Sequence, residues 1–264
     1  MFESLYLGLI AGGALFIGSA VAVLLKRSYA GHKRAIERTT KTVMAFGAGV
    51  LLCTLSFNLM EDAYQKGGFD HVTIGFVGGA LLFVLGDLWL GRRGSGTELL
   101  LGALLDGVPE SAVIGIGVAA GQGLGLLVTV AVFVSNLPEG FSGAGDMLHP
   151  QKGGDEQFSA RSTMGLWGAV STVCALSSVA GYAIFGDSSP STIAVMMAVA
   201  AGAILAMVAH TMIPEAFSAM ATVRKAGKAG AAEKPIHLRI FDKVEALAVV
   251  AGFLLTFILT KATR

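Results

Sequence analysis

Eight long apolar stretches, each close to the length of a membrane span, follow one another along this chain of 264 residues. A helix needs roughly 20 apolar residues to cross the hydrocarbon core of a bilayer. Only 14% of the residues are charged, against about 25% in an average soluble domain. The sequence therefore predicts one polytopic membrane domain over residues 1–264, an all-α helix bundle with eight transmembrane helices. The approximate bounds of the segments are Leu5–Leu25, Thr42–Met60, Val72–Leu90, Glu98–Ala119, Leu124–Met147, Thr163–Phe185, Ser191–Thr222 and Val244–Thr260.

Other classes of protein fit the composition poorly. A net charge of only +1 argues against nucleic acid as a partner, and two cysteines in 264 residues argue against a disulfide scaffold. Disorder requires low hydrophobicity and high charge, which this chain lacks. The first segment is not expected to be a cleaved signal, because Glu3 precedes it and no Lys or Arg does.

The distribution of basic residues predicts the orientation of the segments. Sixteen of the 19 Lys and Arg residues fall in the loops after the odd-numbered segments, which we call the odd loops. The loops after the even-numbered segments hold only Lys66, and the C-terminal end holds Lys261 and Arg264. Cytoplasmic loops are the ones that carry excess Lys and Arg. We therefore expect a multi-pass protein of the plasma (cytoplasmic) membrane with both termini outside, which requires an even number of spans.

Segments two and seven resemble each other at a constant offset of 153 residues. Ala48–Ala63 then aligns with Ala201–Ala216 without a gap, so that Asp62 falls on Glu215 and Asn58 on Thr211. The distribution of basic residues predicts that the two segments cross the membrane in opposite directions. An inverted repeat of this kind, with a site near the midplane, is a recurrent transporter design. The alternative is that apolar helices resemble one another by composition alone.

Carboxylates inside apolar segments predict a functional site, because ionisable groups are costly in a bilayer. Asp106 and Glu110 lie four residues apart on segment four and share one helix face, as Ser135 and Glu139 do on segment five. Asn136 precedes Glu139 by three residues, and segment seven carries two more ionisable residues, His210 and Glu215.

A proline precedes three of these glutamates, in segments four, five and seven. Pro109, Pro138 and Pro214 each lack an N–H and displace the carbonyl four residues back, which opens the helix beside a carboxylate. Open backbone is tolerated at membrane depth where it lines a cavity or is buried in protein. Oxygen ligands gathered in a cavity suit a divalent cation, whose charge offsets the buried carboxylates.

At these residues the chain resembles the ZIP (Zrt- and Irt-like) family of divalent metal transporters, as a divergent bacterial-type member. The matching residues are Asp106–Ser111, against His-Asn-x-Pro-Glu-Gly in the fourth span, and Ser135–Gly140, against Gln-Asp-x-Pro-Glu-Gly in the fifth. The resemblance implies eight spans, with an inverted relation of helices 1–3 and 6–8 around a central pair of helices 4 and 5. It also implies a two-metal site at mid-membrane.

The family motifs are altered in this chain. Asp106 stands where relatives have a ligand histidine, and Gly107 stands where they have a ligand asparagine. The acidic ligand that some relatives carry in the sixth span has no counterpart here. The second metal position is therefore expected to be weak or absent.

The resulting hypothesis is a transporter that moves a divalent metal toward the cytoplasm and is not an enzyme. Zinc is the first expectation, with iron and manganese as alternatives, and no cofactor is expected. The other partners expected are the lipid bilayer and, as an open possibility, a second copy of the chain. One alternative is a transporter-like protein that has lost its metal chemistry and carries another solute or regulates a partner. Another alternative is an intramembrane hydrolase. The predicted metal-site residues are Asp106, Glu110, Ser135, Asn136, Glu139, His210 and Glu215.

Overall fold

The computed structural model describes residues 1–90, 98–121, 123–148, 158–218 and 236–263. These residues are almost entirely helical and contain no strand. Seven stretches among them are long and apolar enough to cross a membrane. The predicted all-α, multi-pass membrane fold is therefore confirmed at this level.

Eight α-helices and two short π-helical turns make up the described chain. In chain order the helices are α1 (Phe2–Thr54), α2 (Met60–Leu90), α3 (Glu98–Ala120), α4 (Leu124–Leu148), α5 (Ala160–Phe185), α6 (Pro190–Met207), α7 (Ile213–Ala216) and α8 (Ile236–Thr263). The first π turn, Leu55–Leu59, joins α1 to α2, and the second π turn, Val208–Met212, joins α6 to α7.

Helix α1 forms two antiparallel arms. A straight helix would place Gly18 and Gly47 about 43 Å apart. Both glycines instead lie against residues 134–141 of α4, which requires the chain to fold back between them. The first arm is Phe2–Leu25, and the second arm is residues 38–54.

The longest apolar stretch, Arg38–Trp89, also reverses direction. Its 52 residues would measure about 78 Å as one helix, far more than the roughly 30 Å of a hydrocarbon core. Gly68 interrupts the helix with φ 70° and ψ −176°, a conformation that strongly favours glycine. Residues 56–64 and 69–77 line a common groove on either side of this break, so the chain folds into a hairpin there.

The short connections contain residues suited to their positions. Gly121 and Gly123 have φ values of 80° and 70°, which lets α3 turn directly into α4. Ser159 and Ser189 cap α5 and α6, because each hydroxyl accepts a hydrogen bond from the backbone N–H three residues later. Pro190 occupies the first turn of α6, where a missing N–H costs little.

Glycines bring the helices together in two groups. The first half-bundle contains the first arm of α1 with α3, α4 and α5. The second half-bundle contains the second arm of α1 with both π turns, α2, α6, α7 and α8. In the second half-bundle, a Cβ at Gly49 would overlap a backbone carbonyl of α8, and a Cβ at Gly202 would overlap one of α2. Close backbone approach of this kind is how membrane helices associate without a hydrophobic drive.

Two internal cavities lie on the seam between the half-bundles. One, of about 290 Å³, is apolar and is lined by residues of α2 and α6 on one side and of α3 and α5 on the other. The other is polar and forms the candidate site below. Parts of the sequence prediction lie outside the described residues: the last four residues of the predicted seventh segment, and the basic residues Arg92, Arg93, Lys152, Arg224, Lys225, Lys228 and Lys234.

Candidate functional site

A polar cavity of about 360 Å³ separates the two half-bundles at the end of the molecule that carries the odd loops. Residues from α3, α4 and α5 form one wall, and residues from α1, α6, the second π turn and α7 form the other. The lining residues are Met44, Gly102, Ala103, Asp106, Ser135, Glu139, Ser142, Gly143, Asp146, Trp167, Met207, Thr211, Met212 and Glu215.

Four carboxylates line this cavity, and none of its lining residues in the described part of the chain is Lys, Arg or His. Three of them, Asp106, Glu139 and Glu215, are among the residues predicted from the sequence. Asp146 is the fourth, and the sequence analysis missed it. On α4, residues 135, 139, 142 and 146 all face the cavity, which is the spacing of one helix face. That spacing, applied beyond Glu139, would have identified Ser142 and Asp146.

Glu110 is buried directly behind the cavity wall. Its side chain is 2% exposed, and its Oε1 has no hydrogen-bond partner within the described part of the chain. It interacts electrostatically with Asp106 and Glu139. A buried carboxylate oxygen without a donor is costly unless a cation or a proton satisfies it.

Asn136 is fully buried beside Ser135. Its amide Nδ2 donates a hydrogen bond of 3.3 Å to the carbonyl of Ala11 on the first arm, whereas its Oδ1 finds no partner in the described ranges. Asn136 and Glu110 thus each bury an unsatisfied oxygen near Glu139. Ser135 itself donates to the carbonyl of Val132 at 3.0 Å, which leaves the oxygen lone pairs of its hydroxyl on the cavity side.

The mouth of the cavity contains Glu215 and Asp146. The hydroxyl of Ser142 donates to Glu215 Oε1 at 3.3 Å, which links α4 to α7. Glu215 also interacts electrostatically with Asp146 and with Lys41 of the second arm. The mouth is therefore more solvated and more mixed in charge than the interior around Glu139.

His210 does not line the cavity. Its side chain is 67% exposed, and its Nε2 lies 3.3 Å from Oδ2 of Asp87 on α2. Of the seven predicted site residues, the structure thus brings Asp106, Ser135, Glu139 and Glu215 to the cavity wall. Glu110 and Asn136 lie in the protein behind it, and His210 lies on the outer surface.

The first π turn and the start of α2 carry polar side chains that are buried away from the cavity. Asn58 is 0% exposed and Asp62 is 4% exposed, and neither reaches the cavity. Asn58 Nδ2 donates to Thr260 Oγ1 of α8 at 3.3 Å, and its Oδ1 is without a partner among the residues described. These two side chains are therefore enclosed by protein at the end of the molecule away from the odd loops.

Sulfur atoms also face the cavity. Met44, Met207 and Met212 all line it, so the available donors combine carboxylate oxygen with thioether sulfur. The indole of Trp167 closes the α5 side and packs on Gly143, where a Cβ would meet the ring at 2.5 Å. A methionine in an apolar helix carries no sequence signal that separates a cavity wall from a core.

Within the described ranges, no three side chains of His, Cys, Asp or Glu lie close enough together to hold a metal ion. The carboxylates therefore share a cavity without forming a closed coordination shell. The chain matches no protein-family model and no curated protein sequence.

Proposed function

We propose that this protein transports a divalent metal cation across a membrane through the carboxylate-lined cavity, in the manner of a ZIP-type transporter. The observation that carries the proposal is the concentration of carboxyl groups in the interior of the helix bundle. Asp106, Glu139 and the buried Glu110 interact electrostatically, and among the described residues no Lys, Arg or His lines the cavity around them. Like charges in a low-dielectric interior need a counter-ion, and a divalent cation supplies it at a single position.

The orphaned oxygens support the same proposal. Glu110 Oε1 and Asn136 Oδ1 are both buried without a donor in the described part of the chain. A divalent cation satisfies such acceptors and also offsets the charge of ionised carboxylates, which a neutral solute does not do. We infer that the side chains of Asp106, Glu110 and Glu139 turn onto the ion as it binds. Zinc is the first candidate, with iron or manganese as alternatives.

We further propose eight membrane spans. The Arg38–Trp89 stretch folds into a hairpin at Gly68, and each of its two limbs is long enough to cross the hydrocarbon core. Counting these limbs separately gives eight spans from the seven apolar stretches. An even number of spans is what the asymmetry of the basic residues requires.

An inverted repeat gains support from the placement of the two π turns. The offset of 153 residues that aligns segments two and seven also places Leu55–Leu59 on Val208–Met212, residue for residue. The same offset places Gly49 on Gly202, and each of these glycines contacts the backbone of a neighbouring helix in its half-bundle. Similar composition alone does not explain two coincident π turns, because π turns are rare.

We propose that the cavity faces the cytoplasm and that the metal moves toward it. The residues near the mouth precede or follow odd loops: Met44, Gly102, Ala103, Asp146, Trp167 and Glu215. Those loops hold 16 of the 19 basic residues, so both termini lie outside under this orientation. The opposite end is closed around Asn58 and Asp62. Together these features correspond to the inward-facing state of an alternating-access cycle.

The test is metal uptake into proteoliposomes by the purified full-length chain. Glu139→Gln keeps the size of the side chain and removes its charge, so we expect uptake of zinc, ferrous iron or manganese to fall to background. Glu61→Gln is the matched control, because Glu61 is exposed on α2 and accepts a hydrogen bond from Gln65, about one helical turn later. Uptake by the Glu139→Gln variant within about twofold of wild type would contradict the site. Absence of uptake in the wild-type protein would favour the alternative of a transporter-like protein without metal chemistry.

A further inference from the structure

One wall of the cavity is rich in sulfur. Met44 on the second arm, Met207 at the end of α6 and Met212 in the second π turn are all buried, and all three line the cavity. They belong to the second half-bundle and lie across the cavity from Asp106 and Glu139 of the first half-bundle. The thioethers thus share with Thr211 and Glu215 the wall that lies across from Asp106 and Glu139.

The second π turn explains how two of these methionines share a face. In an α-helix, residues five apart point about 140° away from each other. In a π turn the hydrogen bond spans five residues, and here the N–H of Ile213 donates to the carbonyl of Val208. This wider turn lets Met207, Thr211 and Met212 all line the cavity. π turns are frequent at functional sites.

We propose that this wall binds a soft, thiophilic monovalent cation of the Cu(I) type through Met44, Met207 and Met212. Thioether sulfur selects soft ions, whereas carboxylate and amide oxygens suit harder divalent ions. Asp106 and Glu139 offset the charge of the bound ion without serving as its main ligands. The inference deepens the proposed transport function, since it assigns a second class of cation to the same cavity. The alternative role of these side chains is to fill an irregular space, which methionine does well.

The experiment measures binding of Ag(I), a soft monovalent ion, to the purified full-length protein by isothermal titration. Cys53 and Cys174 are both replaced by alanine, because their thiols would compete for silver. In that background, leucine replaces the three cavity methionines. Methionine and leucine have similar volumes, so the fold should tolerate the change. We expect a saturable silver site that the leucine variant weakens by at least about tenfold, a loss of roughly 1.4 kcal/mol.

The matched control replaces Met60, Met196 and Met197 by leucine. None of these three lines the cavity, so silver affinity should stay at the level of the background protein. Equal affinity in the cavity variant and the background protein would overturn the proposal, and so would an equal loss in both methionine variants. A second measurement avoids substitutions altogether. Silver should protect Met44, Met207 and Met212 from peroxide oxidation while Met60 stays reactive, and the same oxidation with and without silver would also overturn it.

This proposal and the proposed function fail separately. The leucine variant keeps every carboxylate, so its uptake of manganese should remain. Glu139→Gln should lose that uptake and still bind silver at a saturable site, with weaker affinity because one charge that offsets the ion is gone. If Glu139→Gln transports manganese normally while the leucine variant loses silver, the divalent transport site is wrong and the thioether site stands. If silver never binds but Glu139→Gln abolishes uptake, the thioether site alone is wrong.

Discussion

The π turn at Leu55–Leu59 and the π turn at Val208–Met212 have the same length and connect comparable helices, yet their surroundings are opposite. The first turn and the residues after it bury Asn58 and Asp62 in a closed end of the molecule. The second turn and α7 present Thr211 and Glu215 to a cavity at the other end. The same π turn therefore occurs twice in the chain, once beside buried polar side chains and once beside a cavity. Under an inverted repeat, the protein would alternate access by exchanging these two environments.

The largest expected difference between the two turns is chemical accessibility. In a background without Cys53 and Cys174, cysteines introduced as Asp62→Cys and Glu215→Cys should react with a water-soluble maleimide at very different rates. We expect Glu215→Cys to react about a hundredfold faster, because a buried thiol reacts only after local opening. Equal rates would mean that the end around Asn58 is not closed.

Glycine substitutions test whether the two regions are equivalent in packing. An added Cβ at Gly49 overlaps the carbonyl of Val249, and one at Gly202 overlaps the carbonyl of Phe76. Gly49→Ala and Gly202→Ala should each lower the free energy of unfolding by about 1–3 kcal/mol. Gly13→Ala is the control, because nothing lies within 4 Å of its added Cβ. Thermal unfolding in detergent would measure all three, and a loss at only one of the paired glycines would break the equivalence.

Charge removal on the open side should distinguish the cavity from the outer surface. Glu215→Gln removes a carboxylate from the mouth, and we expect manganese uptake to fall by about tenfold. His210→Gln removes an exposed partner of Asp87, and exposed pairs contribute little, so uptake should change by less than about twofold. Proteoliposome uptake at equal reconstitution compares the two. A larger effect at His210 would return this residue to the transport path that the sequence predicted for it.

The smallest expected effect concerns the unsatisfied amide on the closed side. Asn58→Leu combined with Thr260→Val removes the buried hydrogen bond and the orphaned Oδ1 together. Such paired replacement is near neutral or stabilising, and we expect a gain of about 1 kcal/mol in unfolding free energy. Thr211→Val, at the equivalent position beside the cavity, should change it by less than about 0.5 kcal/mol. A marked loss in the double variant would show that Asn58 Oδ1 has a stabilising partner.

The sequence predicted the membrane class and most segment bounds, because hydrophobic length and loop charge act locally along the chain. It also predicted that Asp106, Glu139 and Glu215 would lie at one site, because each is a carboxylate within an apolar segment and beside a proline or a polar residue one helical turn away. It did not predict where His210 points, because a π turn precedes Glu215 and changes the rotation between the two residues. A π turn arises from tertiary packing and from Pro214, and hydrophobic periodicity does not register it.

The seam between the half-bundles has a mechanical consequence. Within each half-bundle, glycines hold helices at backbone contact, so each group resists deformation. Along the seam, the atoms that line the two cavities lack close neighbours and make fewer van der Waals contacts. Sliding one half-bundle past the other therefore breaks fewer contacts at these places. Relative displacement of the two groups therefore costs less beside the cavities than at Gly47, where the second arm meets the backbone of α4. Hydrostatic pressure, which favours states with less internal void, should shift the protein toward the arrangement in which these cavities are smallest.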